Sequence, residues 1–216
     1  MKGLFITFEG PDGSGKTTQM KMLGEMLQST GKDIVYTREP GGTAISEEIR
    51  KILLNPSNLG MVDRTEALLY AAARAQHVEE TIRPALKEGK IVLCDRFTDS
   101  TLAYQGFGRG IDIDFLKQLN NMAVAGITPD VSLILDINPE LGIERISEKR
   151  VLSSGGGKDR IELEHINFHR RVRDGFLHIA RTEPGRCRII KADQDRNAVH
   201  ADIFGVVKEV LDSENP

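Results

Sequence analysis

Apolar positions along the chain switch between a strand-like and a helix-like period, and the switches mark out the elements. Leu4-Phe5-Ile6-Thr7-Phe8 is a short apolar run of strand type; a glycine-rich turn follows it, then Met20, Leu23, Met26 and Leu27 at helical spacing. That helix ends near Gly31, and Ile34-Val35-Tyr36-Thr37 reads as a second strand. Ile45, Ile49, Ile52 and Leu53 mark one side of the next helix, which Asn55-Pro56-Ser57-Asn58-Leu59-Gly60 ends. The longest helix is predicted to open at Asp63, with Glu66 completing a capping box, and to run through Ala71-Ala72-Ala73 towards Arg83-Pro84. Tyr70, Arg74 and His77 share one of its faces.

Ile91-Val92-Leu93-Cys94 is a continuous apolar run of buried-strand type. Phe115, Leu116, Leu119 and Met122 predict a helix, Val131 to Ile137 a strand, and Asn138-Pro139 the start of a helix reaching Lys149. A long helix from about Leu163 to Thr182, a strand from Cys187 to Ala192 and a last helix carrying Val199, Ile203, Val206, Val207 and Val210 complete the pattern. Strands alternate with helices throughout, which predicts an α/β domain with a parallel sheet covered on both faces. At 216 residues, with no strongly biased segment, one domain spanning 1–216 is expected.

The turn after the first strand carries the chemistry. Gly10-Pro11-Asp12-Gly13-Ser14-Gly15-Lys16-Thr17-Thr18 has the spacing of a P-loop. Its glycines let successive N–H groups point inward at phosphate oxygens, and the following helix adds its positive end. Lys16 supplies a point charge and the Thr17 hydroxyl a Mg²⁺ ligand. With ordinary residue usage, this spacing arises by chance on the order of once in a hundred such chains. Asp95-Arg96 and Arg38-Glu39-Pro40-Gly41-Gly42-Thr43 each follow a strand, at the sheet end where open α/β folds bind ligands.

A net charge of −3, with Lys and Arg dispersed among acids, gives no basic footprint for nucleic acid or an anionic membrane. Cys94 and Cys187 lie far apart and suggest neither a disulfide framework nor a zinc cluster, so a reduced, cytoplasmic setting is expected. The N-terminal apolar run is broken by Glu9 and leads straight into the P-loop, leaving no room for a signal peptide.

A P-loop alone does not separate motor ATPases, GTPase switches and kinases. Asp95 is followed by Arg96 rather than a water-orienting Glu, and no Asn-Lys-x-Asp run for guanine is present. An arginine beside a Mg²⁺ carboxylate suits gripping an acceptor's phosphate. Phosphoryl transfer between nucleotides is expected; a deoxynucleoside kinase or another monophosphate kinase stays open on these residues, and a GTPase-like module is the rival from a different class.

The chain resembles the thymidylate kinase family along nearly its whole length. The resemblance is carried by Glu9 to Thr18, Thr37-Arg38-Glu39-Pro40-Gly41-Gly42-Thr43, Ala71-Ala72-Ala73-Arg74, Asp95-Arg96-Phe97, Ser100-Thr101-Leu102-Ala103-Tyr104-Gln105-Gly106 and Asp159-Arg160-Ile161-Glu162. It implies a P-loop NTPase-type three-layer sandwich on a five-stranded parallel sheet, transfer of the γ-phosphoryl of ATP to dTMP with Mg²⁺, and a homodimer. It further implies that Lys16 and the loop amides, with Ser14, Gly15, Thr17 and Thr18, hold the ATP phosphates, and that Thr17 and Asp95 place Mg²⁺. On the same resemblance, Asp12 would meet the acceptor sugar, Arg38 and Arg96 would clamp the dTMP phosphate, Tyr70 would stack on thymine and Arg74 would donate to its O4. Thr101 and Gln105 line the base edge, and Tyr104 crowds the sugar's 2′ position.

Arg150 to Arg160, with Ser153-Ser154-Gly155-Gly156-Gly157 inside, reads as a mobile basic lid at about 150–160. It departs from the family's shorter, arginine-rich form. Arg150, Lys158 and Arg160 are its candidate catalytic cations, Arg160 foremost, with the expectation that Arg160→Ala lowers kcat more than it weakens dTMP binding. His165 and His169, one turn apart, are read as a solvated helix face rather than a metal site.

Overall fold

The computed structural model describes residues 3–152 and 157–213. Strands β1 (Leu4–Glu9), β2 (Ile34–Arg38), β3 (Ile91–Asp95), β4 (Val131–Asp136) and β5 (Cys187–Lys191) form one sheet in the order β2-β3-β1-β4-β5. Every pairing is parallel. The helices are α1 (Lys16–Ser29), α2 (Ala44–Leu54), α3 (Asp63–His77), α4 (Arg83–Lys87), α5 (Thr98–Thr101), α6 (Ile113–Val124), α7 (Pro139–Leu152), α8 (Ile166–Thr182) and α9 (Arg196–Ser213). Among the described residues, no helix is long and apolar enough to cross a membrane.

The central strands are apolar on both faces because both faces are covered. Leu4, Ile6 and Phe8 of β1, Leu93 of β3 and Leu133 and Leu135 of β4 pack with Leu23 and Leu27 of α1 and Ile203 and Val207 of α9. The alternate positions Phe5, Val92 and Cys94 face Val78, Ile82 and Phe97, while Ile134 joins Leu116, Phe168 and Phe176. This period of two across a buried sheet makes three layers.

Register then sets the site. Phe8 pairs with Asp95, and Arg38 pairs with the same Asp95, so the carboxyl ends of β1, β2 and β3 finish at one edge. The P-loop, Arg38-Glu39 and Asp95-Arg96 all emerge there. Helix α3 continues through a π turn at Val78–Ile82 into α4, so the helical path passes Pro84 near the start of a new segment, where its missing N–H costs little. The segment after β3 is also helical, α5 running into a π-helical stretch at Leu102–Gly108.

Two sequence expectations need correction. Asp63 does not cap α3: Val62 is the N-cap, no side chain bonds the helix start, and Glu66 is fully buried. His165 and His169 do not form a solvated face. His165 is the N-cap of α8, its Nδ1 accepting from the Asn167 amide at 3.3 Å, and His169 is buried against the Phe168 ring.

Candidate active site

The P-loop is shaped by what its glycines must avoid. Gly10 has φ +129°, and a Cβ there would lie 2.4 Å from the Leu135 carbonyl oxygen. Gly13 has φ +77°, and its Cβ would lie 2.1 Å from the Gly142 carbonyl oxygen of α7. Side chains at either position would push the loop off β4 or α7. Lys16 opens α1 and curls back into the loop, its Nζ donating to the carbonyls of Gly10 (3.1 Å) and Pro11 (2.9 Å). Burial first, and then the charge of Arg96, lower its pKa to about 8 against the pull of Asp95, Asp12 and Glu9. The Thr17 hydroxyl donates to Asp95 Oδ2 at 2.6 Å, bringing the two expected Mg²⁺ ligands together. Two hard oxygens at the mouth of a phosphate cradle fit a cation that takes few protein ligands and its remainder from phosphate and water.

The cradle opens into a cavity of about 740 Å³ bordered by Gly13, Gly15, Lys16, Thr17, Thr18 and Arg145. Beside it lies a smaller cavity of about 120 Å³ bordered by Tyr70, Arg74, Thr101, Tyr104 and Gln105. Asp12, Glu39, Arg50 and Arg96 border both.

Arg96 is the hinge between them. It has φ +72°, a left-handed backbone that costs a non-glycine residue about 1–3 kcal/mol and persists only where its surroundings enforce it. The enforcing contacts are visible: its amide donates to the Phe8 carbonyl at 2.9 Å, its carbonyl accepts from the Cys94 thiol at 3.1 Å, and the next amide, of Phe97, donates to Glu9 Oε1 at 2.7 Å. The guanidinium then reaches Asp12 Oδ1 (2.6 Å), the Tyr104 hydroxyl (2.9 Å), Ser100 Oγ and the Gly10 carbonyl (both 3.1 Å). The Tyr104 hydroxyl donates in turn to Asp12 Oδ2 at 2.7 Å. Burial opposes the Asp12 charge, but Arg96, Lys16 and the Tyr104 hydroxyl outweigh it and hold the pKa at about 2.

Arg74 and Arg38 sit differently from a simple ligand clamp. Arg74 is buried; its Nε donates to Glu39 Oε2 (2.7 Å), Nη1 to Thr101 Oγ1 (3.0 Å) and Asn120 Oδ1 (2.7 Å), and Nη2 to the Phe97 carbonyl (3.0 Å). Four of its five N–H groups are thus engaged, and the residue as a whole borders the smaller cavity. Glu39 also meets His77 Nδ1 at 3.0 Å. Arg38 is half exposed and gives its Nη2 to both carboxylate oxygens of Glu47, at 2.9 and 3.0 Å. It borders the larger cavity, not the smaller one.

Arg160, foremost of the expected lid cations, is not brought to the cradle. It is buried, with Nε donating to the Leu53 carbonyl at 2.8 Å and Nη2 paired with Glu66 Oε2 at 2.6 Å. The physical reason is the Glu66 carboxylate, which is buried and needs cations: Arg109 Nη2 also meets its Oε2 at 3.1 Å. Arg150 lies within α7 and pairs with Glu162 at 2.5 Å, and Lys158 is exposed. Residues 153–156 of the expected lid lie outside the described residues.

Three residues at or behind the site had no site role of their own in the sequence reading. Arg50 borders both cavities and donates to the Pro40 carbonyl at 2.8 Å; it sits on the same α2 stripe as buried Ser46 and Leu53, a legible signal. Glu66 falls four residues before Tyr70 and eight before Arg74, so it shares their face. Glu9 ends β1 facing Phe97 and Ser100, and burial first, then the charge of Asp99, raise its pKa to about 7. Nothing in its local sequence marks it out from a strand-end charge.

A phosphate cradle joined to a second cavity across a shared arginine–carboxylate edge, on a five-stranded parallel sheet, defines a P-loop phosphotransferase of the nucleoside monophosphate kinase class. A model of the thymidylate kinase family matches residues 8–203. A thymidylate kinase from Pelotomaculum thermopropionicum is 57% identical over 213 residues, which are 99% of this chain and 96% of that protein. One from Halothermothrix orenii is 50% identical over 211 residues, 98% of this chain and 99% of its own length. The crystal structure of thymidylate kinase from Ehrlichia chaffeensis aligns with a TM-score of 0.78 at 37% identity, covering 96% of this chain and 100% of that one. The chain belongs to the thymidylate kinase family: it is a dTMP kinase, which passes the γ-phosphoryl of ATP to dTMP.

Proposed function

We propose that the larger cavity takes the triphosphate of ATP, the smaller one takes dTMP, and the phosphoryl group crosses between them over the edge formed by Asp12, Arg50 and Arg96. The observation that carries this reading is that these residues border both cavities. Lys16 and the amides of Gly13 to Thr18 hold the β- and γ-phosphates. Pro11 and Gly10 supply the carbonyls that keep Lys16 aimed. Arg96 and Arg50 grip the acceptor phosphate as forked, permanently charged donors. Asp12, kept ionised, orients Arg96 and accepts from the acceptor sugar. The Tyr104 hydroxyl is fixed by Asp12 and Arg96, so its ring forms a rigid wall where a 2′-hydroxyl would have to fit.

Phosphoryl transfer leaves little covalent chemistry to the protein, and the rate comes from alignment and from neutralising charge between two polyanions. Mg²⁺, held by Thr17 and Asp95, supplies part of that neutralisation when bound. Tyr70 offers a face for thymine, and Arg74, Thr101 and Gln105 read its edge.

The active unit is read as a homodimer. Ile45 and Ile52 of α2, Leu68 of α3, and Phe115 and Met122 of α6 are large apolar side chains left exposed on helices that lie side by side. A cytoplasmic setting is supported by two buried free thiols, Cys94 and Cys187.

Thermal denaturation with increasing dTMP, against dCMP, dGMP and thymidine, tests the assignment of the smaller cavity. The melting temperature should rise with dTMP at concentrations where thymidine, lacking the phosphate, and dCMP, with the wrong base edge, have little effect. Equal shifts with all four would refute the reading.

A further inference from the structure

We propose that Glu66 is a positioning residue that sets base specificity by fixing which end of the Gln105 amide faces the acceptor base. The inference rests on the reading of the smaller cavity as the thymine site. Gln105 is buried, borders that cavity, and donates Nε2 to Glu66 Oε1 at 2.7 Å. An ionised carboxylate can only accept, so the end of the amide that meets it must be the nitrogen. The carbonyl oxygen is then the group that Gln105 turns to the cavity.

Glu66 itself is kept ionised and immobile by its other contacts. Arg109 reaches Oε1 through Nε at 3.3 Å and Oε2 through Nη2 at 3.1 Å, and Arg160 lies 2.6 Å from Oε2. Burial works against the charge, but the hydrogen bonds from Arg109 and Gln105 and the charge of Arg160 lower its pKa. Arg109 is secured in turn by Glu164 at 2.5 Å and by the face of Phe168, 4.6 Å from its guanidinium carbon. The carboxylate has no freedom to turn away from Gln105.

The consequence is a fixed hydrogen-bond pattern. Thymine offers a donor at N3 and an acceptor at O4, whereas cytosine offers an acceptor at N3 and a donor at N4. A Gln105 carbonyl and the Arg74 guanidinium, which border the same cavity, present an acceptor and a donor that suit thymine N3 and O4 and oppose cytosine N3 and N4. Reversing the Gln105 amide would present a donor to N3 but would set its carbonyl against the Glu66 carboxylate. Specificity thus depends on a residue outside the cavity lining.

Glu66→Gln tests this. Its carbonyl would take the position of Oε2, where the closer contacts of Arg160 (2.6 Å) and Arg109 (3.1 Å) fall, giving up the longer 3.3 Å Arg109 Nε contact at Oε1 and leaving its amide nitrogen to face Gln105 and turn that side chain over. The ratio of kcat/KM for dTMP to that for dCMP should fall about five- to a hundredfold, the range set by one mismatched buried hydrogen bond. In a Gln105→Met background the same change should leave the ratio untouched. If Glu66→Gln lowers both activities in equal proportion while Gln105→Met alone changes the ratio, the positioning role is wrong and the base-reading role of Gln105 stands. If Gln105→Met does not change the ratio, the thymine-site reading fails and the role of Glu66 fails with it. Should the neutral variant not fold, Glu66→Asp keeps the charge opposite Arg109 and Arg160 while withdrawing it from Gln105, and the ratio should fall in the same direction; an unchanged ratio overturns the proposal.

Discussion

Replacing Glu9 by Gln should remove a pH dependence from the folding stability. In the native state Glu9 accepts from the Phe97 amide at 2.7 Å and from Ser100 Oγ at 2.5 Å, and it is completely buried. Burial and the charge of Asp99 raise its pKa from 4.5 to about 7, against the pull of Ser100, Arg96 and the Phe97 amide. The unfolded chain therefore loses this proton at a lower pH than the folded chain does. The resulting stability is fully present below pH 4.5 and is lost as pH rises towards 7, at about 1.4 kcal/mol per unit, or about 3 kcal/mol in all. A glutamine amide in its place has no proton to lose over this range. Urea unfolding of both proteins from pH 5 to 8 should show the stability difference moving by roughly 2.5 kcal/mol in favour of the variant as pH rises. Taking the difference cancels the titrating groups that do not interact with Glu9, including His200, whose pKa burial lowers and which pushes the opposite way. Parallel stability curves would refute the reasoning.

Other consequences follow from named contacts. Lys16, with a pKa of about 8 in the free protein, should be driven to its charged form by a triphosphate, so ATP binding at pH 8.5 should take up protons; calorimetry in two buffers of different ionisation enthalpy would detect this, and buffer-independent heats would contradict it. Arg160→Ala should destabilise the fold by about 3 kcal/mol in urea unfolding, because it strips one cation from buried Glu66; a loss of turnover with unchanged stability would restore the lid role expected from the sequence. Arg50→Ala should raise the KM for dTMP roughly 10- to 100-fold while leaving the KM for ATP within a factor of about three, since a charge-assisted contact is worth about 1.5–3 kcal/mol; an unchanged KM for dTMP would remove Arg50 from the acceptor site.

Most of the scaffold could be read from local pattern because it depends on local pattern. The five apolar runs became strands within a residue or so of their expected bounds; β1, β3 and β4 are buried on both faces, while the edge strands β2 and β5 keep Tyr36 and Ile189 exposed. The P-loop, Asp95 and Arg96 were legible because chemistry and turn geometry demand those residue types in sequence. What local pattern could not supply was long-range charge pairing. Arg160 stands out among the lid cations for its local Asp-Arg-Ile-Glu context, yet Glu66, distant in sequence, pairs with it. Glu66 itself was read as half of a capping box, a local motif, when its spacing to Tyr70 and Arg74 placed it on their inward face. His169 shows the same limit: one turn from His165, it is buried because α8 turns that side into the core beside Phe168 and Val172. The contact between Gly13 and Gly142 joins residues far apart in the chain, and no motif announced it.

A triphosphate cradle that faces a pocket selective for a thymine monophosphate must turn over one acceptor far ahead of the others. Product analysis of the purified protein with ATP and Mg²⁺ over a panel of dTMP, dCMP, dGMP and thymidine tests it most directly. dTMP should give dTDP and ADP in equal amounts, and any other acceptor, or ATP alone, should give little ADP. Preferential turnover of a different acceptor, or release of ADP that needs no acceptor, would contradict it.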